Sequence, residues 1–368
     1  SSAASDVYKR QVQYQSIKEE IDKAIQSVIE NTAFIKGKYV EQFEEDYAEC
    51  YGVKHVVSCG NGTDALYITL KAMDIGPGDE VITTAHSWIS TSETITQAGA
   101  KVVFVDIDKD YYTIDTNLIE EKITKRTKAI IPVHIYGQPV NMTEIMRIAN
   151  KYNLKVIEDC AQGHFAEWDN KYVGTIGHAG TFSFFPGKNL GAYGDGGCIV
   201  TNNDALAEKM RMFANHGALI KHEHHIEGIN SRLDGLQAAI LSVKLKYISQ
   251  WTGLRIDRAT YYSTLLNGHP DIITPKIHSS SKHVFHLYVV QVKNRDKLQH
   301  HLKNNGIASA IHYPVPLPFM KAYEYLEYSP DDFPNIYAAN QKILSLPMFP
   351  ELSDDQIEYI VDIINDFH

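Results

Sequence analysis

The sequence has few cysteines and no long apolar run. Its four cysteines are spread over 368 residues without a C-x-x-C pair, at Cys50, Cys59, Cys160 and Cys198. This spacing argues against a disulfide framework and against a structural zinc site, so we expect no metal. No apolar stretch approaches the ~20 residues that span a bilayer, so we expect no membrane segment. Unpaired cysteines are typical of proteins of the reducing cytoplasm.

Acidic residues outnumber basic ones, with 45 aspartate and glutamate residues against 35 lysine and arginine residues. The formal net charge is −10 at pH 7, so the composition does not supply the broad basic face that nucleic-acid binding requires. A local basic pocket is compatible with this balance. Residues 1–11 lack the apolar core of a secretory signal, and we interpret them as a disordered tail or one added during cloning.

Much of the first half of the chain alternates short apolar runs with helical patterns. Runs such as HVVSC, EVITT and AIIPVHI are rich in valine and isoleucine, and NLIEEKIT at 117–124 is one of the helical patterns. This alternation predicts a parallel sheet covered on both faces by crossover helices. We expect an α/β protein with a large domain at 12–248, whose last helix covers about 232–250. A small α/β domain at 249–368 should include a strand at 308–314.

A glycine-containing turn joins the strand HVVSC to the helix that follows it. The turn Gly60-Asn61-Gly62-Thr63-Asp64 brings free backbone N–H groups and the positive end of a helix to one place, as an anion site requires. The segment Gly60-Ala65 also matches G-x-G-x-x-A, which favours an NAD-dependent oxidoreductase. Such an enzyme should have an acidic residue after the next strand, whereas Asp79 and Glu80 precede it. A turn that binds no ligand is the third interpretation.

A single lysine lies in a glycine-rich segment after another apolar strand. Lys188 follows FSFFPG, and four more glycines occur between it and residue 197. A lysine amine in a desolvated site is nucleophilic and forms imines with aldehydes. Asp159 ends the strand LKVIED at the predicted carboxyl edge of the sheet, where a carboxylate can pair with a pyridinium nitrogen. Taken alone, Asp159 could equally cap a helix, and Lys188 could be a solvated loop residue.

Together with several other blocks, these residues resemble the DegT/DnrJ/EryC1/StrS family of sugar aminotransferases. The resemblance runs from about residue 30 to the C-terminus. It implies the fold type I architecture of aspartate aminotransferase, with a mostly parallel seven-stranded sheet in the large domain, and pyridoxal 5'-phosphate as cofactor. The blocks that carry it are FIKGKYVEQFEEDYAECYGVKH, NGTDAL, GPGDEVI, VHIYGQPVNM, VIEDCAQ, FSFFPGKNLGAYGDGG and NSRLDGLQAAIL.

The resemblance also implies roles for individual residues. Lys188 would be the catalytic Schiff-base lysine, and its presence argues against relatives that have histidine there and act as dehydratases. Asn230 would reach the cofactor phosphate of a neighbouring subunit, which implies a homodimer with shared active sites. The other cofactor contacts would be Gly62, Thr63 and Ser183 at the phosphate, Trp88 on the ring face, Asp159 at the pyridine nitrogen and Gln162 at the phenolic oxygen.

The substrate is predicted from weaker signals. The block VHIYGQPVNM is similar to members that aminate C3 of a dTDP-linked 3-keto-6-deoxyhexose, with glutamate as donor, for the synthesis of cell-surface polysaccharides or glycoconjugates. Amination at C4 of a UDP-, dTDP- or GDP-linked sugar is the alternative, and a non-catalytic regulator of the same fold is another. Residues proposed to grip the nucleotide or sugar are His216, Lys221, His222, His312 and Tyr313. A solvated loop, or for His312 and Tyr313 a core or surface role, would explain them as well.

Overall fold

The computed structural model describes residues 11–367, so the predicted tail at 1–11 lies outside the described residues except for Gln11. Within residues 11–367, every helix is too short or too polar to span a bilayer. The helices are α1 (Lys18–Glu30), α2 (Lys38–Tyr51), α3 (Gly62–Ala72), α4 (Ser90–Gln97), α5 (Met142–Tyr152), α6 (Asp204–Phe213), α7 (Gly235–Leu245), α8 (Ile248–Leu265), α9 (Arg295–Asn304), α10 (Pro334–Asn340) and α11 (Asp354–Asn365).

The strands form three sheets in the described part of the chain. The largest has seven strands in the order β1-β9-β8-β5-β4-β2-β3, and the two others have the orders β10-β12-β13 and β11-β6-β7. The strands are β1 (His55–Cys59), β2 (Glu80–Thr84), β3 (Lys101–Val105), β4 (Thr127–Ile131), β5 (Lys155–Asp159), β6 (Glu167–Trp168), β7 (Lys171–Tyr172), β8 (Ala179–Ser183), β9 (Gly197–Thr201), β10 (Ile272–Ile273), β11 (Ser281–Lys282), β12 (Tyr288–Val292) and β13 (Ile343–Leu346).

The seven-stranded sheet is mostly parallel, as the sequence pattern predicts. The pairs β2–β3, β2–β4, β4–β5 and β5–β8 are parallel, and β9 runs antiparallel between β1 and β8. Neighbouring residues of one strand enter different cores: Val56 packs with α2 and α7, whereas Val57 packs with α3 and α6. Burial on both faces explains why these strands are almost continuously apolar.

The parallel strands end at one edge of this sheet. There β5 delivers Asp159 opposite Thr181 of β8, and β2 leads through Ala85 into the segment that precedes α4. The carboxyl ends of parallel strands are where open α/β folds bind ligands. The structure therefore places Asp159, the start of α4 and the end of β8 at the edge where the sequence predicts a site.

Three details of the predicted secondary structure are wrong. The segment 117–124 forms two 3₁₀ turns, of which the first is capped by Asp115, because so short a segment gains little from a full α-helix. The pattern at 232–250 divides into α7, which ends at Leu245, and α8, which begins at Ile248. The sequence suggested one helix because both helices pack against the same core, so that the apolar period continues across the break. Residues 308–314 form only an isolated bridge from Ala310 to Ser345, because side chains bond the carbonyls that a strand would use.

A separate core lies around the three-stranded sheet of β10, β12 and β13. It includes Tyr262 of α8, Leu298 of α9 and Ile357 of α11. The start of α8 packs in the core of the large sheet, at Ile248 and Trp251. The predicted division of the chain at 248 falls at the beginning of this connecting helix and stays a prediction.

Candidate active site

The turn at 60–64 and the end of β8 form a narrow cradle. The carboxamide oxygen of Asn61 accepts from the Asp64 N–H at 2.8 Å and caps α3. The first backbone bond of the helix is that of Ala65 to Asn61, so the amides of Gly62 and Thr63 precede it and are available to an anion. A Cβ atom on Gly62 would lie 2.6 Å from Cβ of Ser183, so only glycine fits this approach.

Hydroxyl groups surround the same cradle. Thr63 and Ser90 share a hydrogen bond of 2.7 Å between their hydroxyl oxygens. Ser183 lies at the end of β8 and accepts from the Phe185 N–H at 3.3 Å. Hydroxyls and free amides are phosphate ligands, and their convergence on a glycine with no room for a side chain fits a phosphate group.

Asp159 is buried and held in one orientation. Only 5% of the residue is exposed, and its carboxylate accepts from the Thr91 hydroxyl at 2.7 Å and from the Ala161 N–H at 3.1 Å. The Thr91 hydroxyl is also 2.7 Å from that of Ser87. A carboxylate has about four acceptor positions, so Asp159 retains capacity for a further cationic donor such as a pyridinium N–H.

Lys188 lies in the turn that follows β8, and its backbone N–H donates to the Phe185 carbonyl at 2.9 Å. Burial lowers the pKa of its amine to about 8, while the charge of Asp159 acts in the opposite direction. The two residues are therefore electrostatic neighbours. A partly buried amine with a pKa near neutrality is suited to imine formation and proton transfer.

Gln162 and Trp88 meet the C-terminal part of the chain at Tyr313. The Gln162 amide donates to the Tyr313 hydroxyl at 2.8 Å, and the Trp88 and Tyr313 ring centroids are 5.7 Å apart. Trp88 is 58% exposed, which leaves indole surface open to a flat ligand. His312 precedes Tyr313 and bonds Ser345 through Nδ1 at 2.8 Å.

Among the described residues, the exposed candidates in the loop between α6 and α7 do not bond Gln162, Trp88 or Tyr313 within one chain, although Ser231 of the same loop bonds the turn at 60–64. The residues proposed to grip the substrate there, and Asn230, are all exposed: His216, Lys221, His222 and Asn230. The loop is closed on itself by the His216 carbonyl, which accepts from the His224 ring at 2.8 Å. Asn230 pairs with Asn215 through an isolated backbone bridge.

Sequence reasoning missed several residues that support the site. Thr91 and Ser90 begin α4, and hydroxyl residues at a helix start after a parallel strand were a signal that the sequence offered. Ser231 gave no such signal, because it is 171 positions from the Gly60 N–H that it accepts from at 2.9 Å. Its hydroxyl also donates to Asp64 at 2.6 Å. Contacts of this range depend on the tertiary fold.

A buried group at His134, Glu158 and Cys160 has the residue types of a metal site. The Glu158 carboxylate accepts from three backbone amides, those of 174, 176 and 177, at 2.6 to 2.8 Å. His134 accepts from the Val140 N–H through Nδ1, so Nε2 carries the proton and donates to Glu158 at 3.1 Å. The nitrogens of His134 and the carboxylate of Glu158 are therefore already bonded to protein groups. We interpret these residues as an anchor that holds the loop before β8.

Comparisons with known proteins agree with the geometry. The model of the DegT/DnrJ/EryC1/StrS aminotransferase family matches residues 15–365. The chain is 47% identical to a pleiotropic regulatory protein of Geobacillus stearothermophilus over 97% of this chain and 96% of that one. It is 43% identical to the dTDP-3-amino-3,6-dideoxy-alpha-D-galactopyranose transaminase of Aneurinibacillus thermoaerophilus over 94% of each.

A solved structure shows the same fold over nearly the whole chain. The Streptomyces venezuelae protein DesV, in complex with a ketimine intermediate, superposes with a TM-score of 0.95 at 36% identity, covering 97% of this chain and 96% of that one. The predicted family resemblance, fold class and enzyme class are thereby confirmed, and the dinucleotide interpretation of the turn at 60–65 is excluded. The chain belongs to the DegT/DnrJ/EryC1/StrS aminotransferase family of pyridoxal-phosphate-dependent enzymes that act on nucleotide-linked sugars.

Proposed function

We propose that this enzyme transfers an amino group from glutamate to C3 of a dTDP-linked 3-keto-6-deoxyhexose, for cell-surface polysaccharide or glycoconjugate synthesis. The block VHIYGQPVNM supports the position, as does the 43% identity to a transaminase whose product carries its amino group at C3. The observation that supports the chemistry best is Lys188, an amine with a pKa of about 8 next to the buried Asp159.

The residues at the strand ends fit pyridoxal phosphate. Gly62, Thr63 and Ser183 would hold its phosphate, since a cradle that a Cβ would fill meets two free amides there. Asp159 would accept from the pyridine nitrogen and keep it protonated, and Trp88 would cover the ring face. When bound, the cofactor supplies an electron sink for the charge left on the substrate carbon as its proton departs.

Lys188 would carry the proton of the reaction on Nζ. An amine with a pKa of about 8 exists in both protonation states at neutral pH, so it can take a proton from one carbon and deliver it to another. The carboxylate of Asp159 stabilises the protonated form, and burial stabilises the neutral one. This balance lets Lys188 act as base and as acid within one turnover.

The remaining candidates are assigned to the substrate and to the partner subunit. We place His216, Lys221, His222, His312 and Tyr313 at the nucleotide or the sugar, where cationic and hydrogen-bonding groups meet phosphate and hydroxyl oxygens. Asn230 would reach the cofactor phosphate of the neighbouring subunit in a homodimer.

Mixing Lys188→Ala with Asn230→Ala subunits tests the shared active site. If each site takes Lys188 from one subunit and Asn230 from the other, a mixed dimer recovers one working site.

Borohydride reduction tests the role of Lys188. The purified enzyme should absorb visible light, and reduction should fix the cofactor to the peptide that bears Lys188. Lys188→Ala should lose the absorbance while its circular dichroism stays unchanged, and Lys303→Ala, a change at an exposed lysine of α9, serves as the control. Label on another lysine, or absorbance retained in Lys188→Ala, would refute the assignment.

Substrate position is tested in the reverse direction with stable amino sugars. The enzyme is incubated with dTDP-linked 3-amino-3,6-dideoxyhexose or 4-amino-4,6-dideoxyhexose, and loss of the visible band is recorded for each, with UDP- and GDP-linked analogues as further arms. We expect the 3-amino dTDP sugar to react at least tenfold faster. A preference for the 4-amino sugars would support C4 amination and overturn our assignment.

A regulatory role is the second candidate, because the relative at 47% identity is named a pleiotropic regulatory protein. The intact set of Lys188, Asp159 and the phosphate cradle favours catalysis, since a regulator does not need a proton-carrying amine. Glutamate distinguishes the two: an aminotransferase loses its visible band on addition of glutamate and regains it with a keto-sugar nucleotide. A band that glutamate does not change would favour the regulator.

A further inference from the structure

The side chain of Gln162 is held at both ends. Its carbonyl oxygen accepts from the Tyr136 backbone N–H at 2.6 Å, and its amide nitrogen donates to the Tyr313 hydroxyl at 2.8 Å. A backbone N–H can only donate, so the oxygen must face Tyr136 and the NH₂ group must face Tyr313. Among the described residues these bonds use one of the two amide hydrogens of Gln162, and the other is available to a ligand.

Tyr313 is itself fixed on several sides. Its carbonyl accepts from the Asn340 amide at 2.5 Å, and the carbonyl of the preceding residue, His312, accepts from the Tyr136 hydroxyl. The Tyr313 ring lies in tilted contact with Trp88 and in edge contact with His86, with centroids 5.7 and 6.1 Å away. The hydroxyl that meets Gln162 is therefore placed by contacts to both the N-terminal and the C-terminal part of the chain.

His86 completes the network and determines its direction. The Tyr136 hydroxyl gives its only hydrogen to the His312 carbonyl, so His86 Nε2, 2.5 Å from that hydroxyl, must be the donor. His86 is fully buried, and burial lowers its pKa to about 3, so its ring is neutral and protonated at Nε2. The direction of the network is therefore fixed: His86 donates to the Tyr136 hydroxyl, and Tyr136 donates to the His312 carbonyl, which accepts.

We propose that Tyr313 is a positioning residue that fixes the Gln162 amide so that its second N–H serves the phenolic oxygen of the cofactor. The proposal deepens the proposed function and depends on it, because it takes Gln162 as the contact of that oxygen. Under this proposal, residues 312–313 help to set the electronic state of the cofactor, although they lie in the C-terminal part of the chain.

The physical consequence is a shift in the acid–base behaviour of the bound cofactor. An N–H donor favours the anionic form of an oxygen, so a fixed donor lowers the pH at which the visible band changes. Without the Tyr313 hydroxyl the amide can rotate, and the donor is lost for part of the time. One hydrogen bond corresponds to at most about one pKa unit, so we expect the midpoint to rise by roughly 0.5 to 1 unit.

Tyr313→Phe tests the proposal by titration of the visible band of the loaded enzyme between pH 5 and 10. The matched control is Tyr325→Phe, since Tyr325 is a tyrosine that is 65% exposed. We expect an upward shift in the first variant and none in the second. Gln162→Met should raise the midpoint at least as much, and adding Tyr313→Phe to it should cause no further change.

Urea unfolding of the cofactor-free protein tests the Tyr313–Gln162 contact without the cofactor. Because the two side chains bond each other, Tyr313→Phe and Gln162→Met should be non-additive in the urea midpoint. A normal visible band with an unmoved titration midpoint in Tyr313→Phe would overturn the positioning role alone, as would full additivity in urea. Absence of any visible band in the wild-type protein would overturn the proposed function and this proposal together.

Discussion

The pKa of Lys188 can be measured before any substrate is known. Burial lowers it from 10.5 to about 8. At pH 7.5 about a quarter of a group with that pKa is the neutral amine, compared with roughly 0.1% at the ordinary value. Lys188 should therefore offer roughly 200 times more nucleophilic amine than an ordinary lysine at this pH.

Competitive labelling of the cofactor-free enzyme provides the assay. The protein is treated with trace acetic anhydride between pH 6 and 11, and the acetylated fraction of each lysine peptide is measured by mass spectrometry. The labelling of Lys188 should rise with a midpoint near pH 8, well below that of the exposed lysines that serve as internal reference. The amine is only partly accessible, so the midpoint is the informative quantity and the absolute rate is not.

Asp159→Asn tests the direction in which Asp159 shifts the pKa of Lys188. The Asp159 carboxylate raises the Lys188 pKa against the effect of burial, so its removal should lower the midpoint further. Asp169→Asn, a change at an aspartate that contacts Thr143 instead, should leave the midpoint in place. A midpoint near 10.5 in the wild type, or an upward shift in Asp159→Asn, would refute the electrostatic account of this lysine.

Three further changes test the rest of the structure. Gly62→Ala should weaken cofactor binding by about 1–3 kcal/mol, roughly 5- to 150-fold, because its Cβ would lie 2.6 Å from Ser183. Gly253→Ala is the control and should bind the cofactor normally, since no described residue other than its chain neighbours and its own helix backbone lies within 4 Å of the added Cβ. Equal affinities of the two variants in a cofactor titration would contradict the cradle. Glu158→Gln should lower the free energy of unfolding by about 2–3 kcal/mol, because an amide cannot accept from three backbone donors as the carboxylate does. Glu30→Gln, a change at an exposed glutamate, is the control. Equally small changes in the urea midpoint of the two variants would refute this prediction. Stability should also fall by about 2 kcal/mol between pH 7 and pH 5 for each buried histidine whose pKa is well below 6.5, because over this range the unfolded histidine goes from about one quarter protonated to almost fully protonated while the folded one stays mostly neutral. A flat profile would contradict this. These residues are His86, His164 and His283, with pKa values of about 3, 4 and 3.

The strands and the phosphate turn were predictable from the sequence because they depend on local information. Parallel strands that are buried on both faces must be continuously apolar, and HVVSC and EVITT show this directly. Gly62 could be singled out because a glycine between a strand and a helix is a local pattern. The same approach failed at 308–314, where an apolar run suggested a strand but the carbonyls of His312 and Tyr313 bond side chains that are distant in sequence.

The sequence by itself determined the fold class, the order of strands along the chain and the residue types that a pyridoxal-phosphate site needs. This was possible because the spacing of apolar residues, the residues that form turns and the family blocks are all visible within short segments of the chain. Only the tertiary structure decided which groups meet: Thr91 with Asp159, Ser231 with Gly60, and Tyr313 with Gln162. These contacts join residues 68 to 171 positions apart, and the packing of elements, which no local pattern encodes, brings them together.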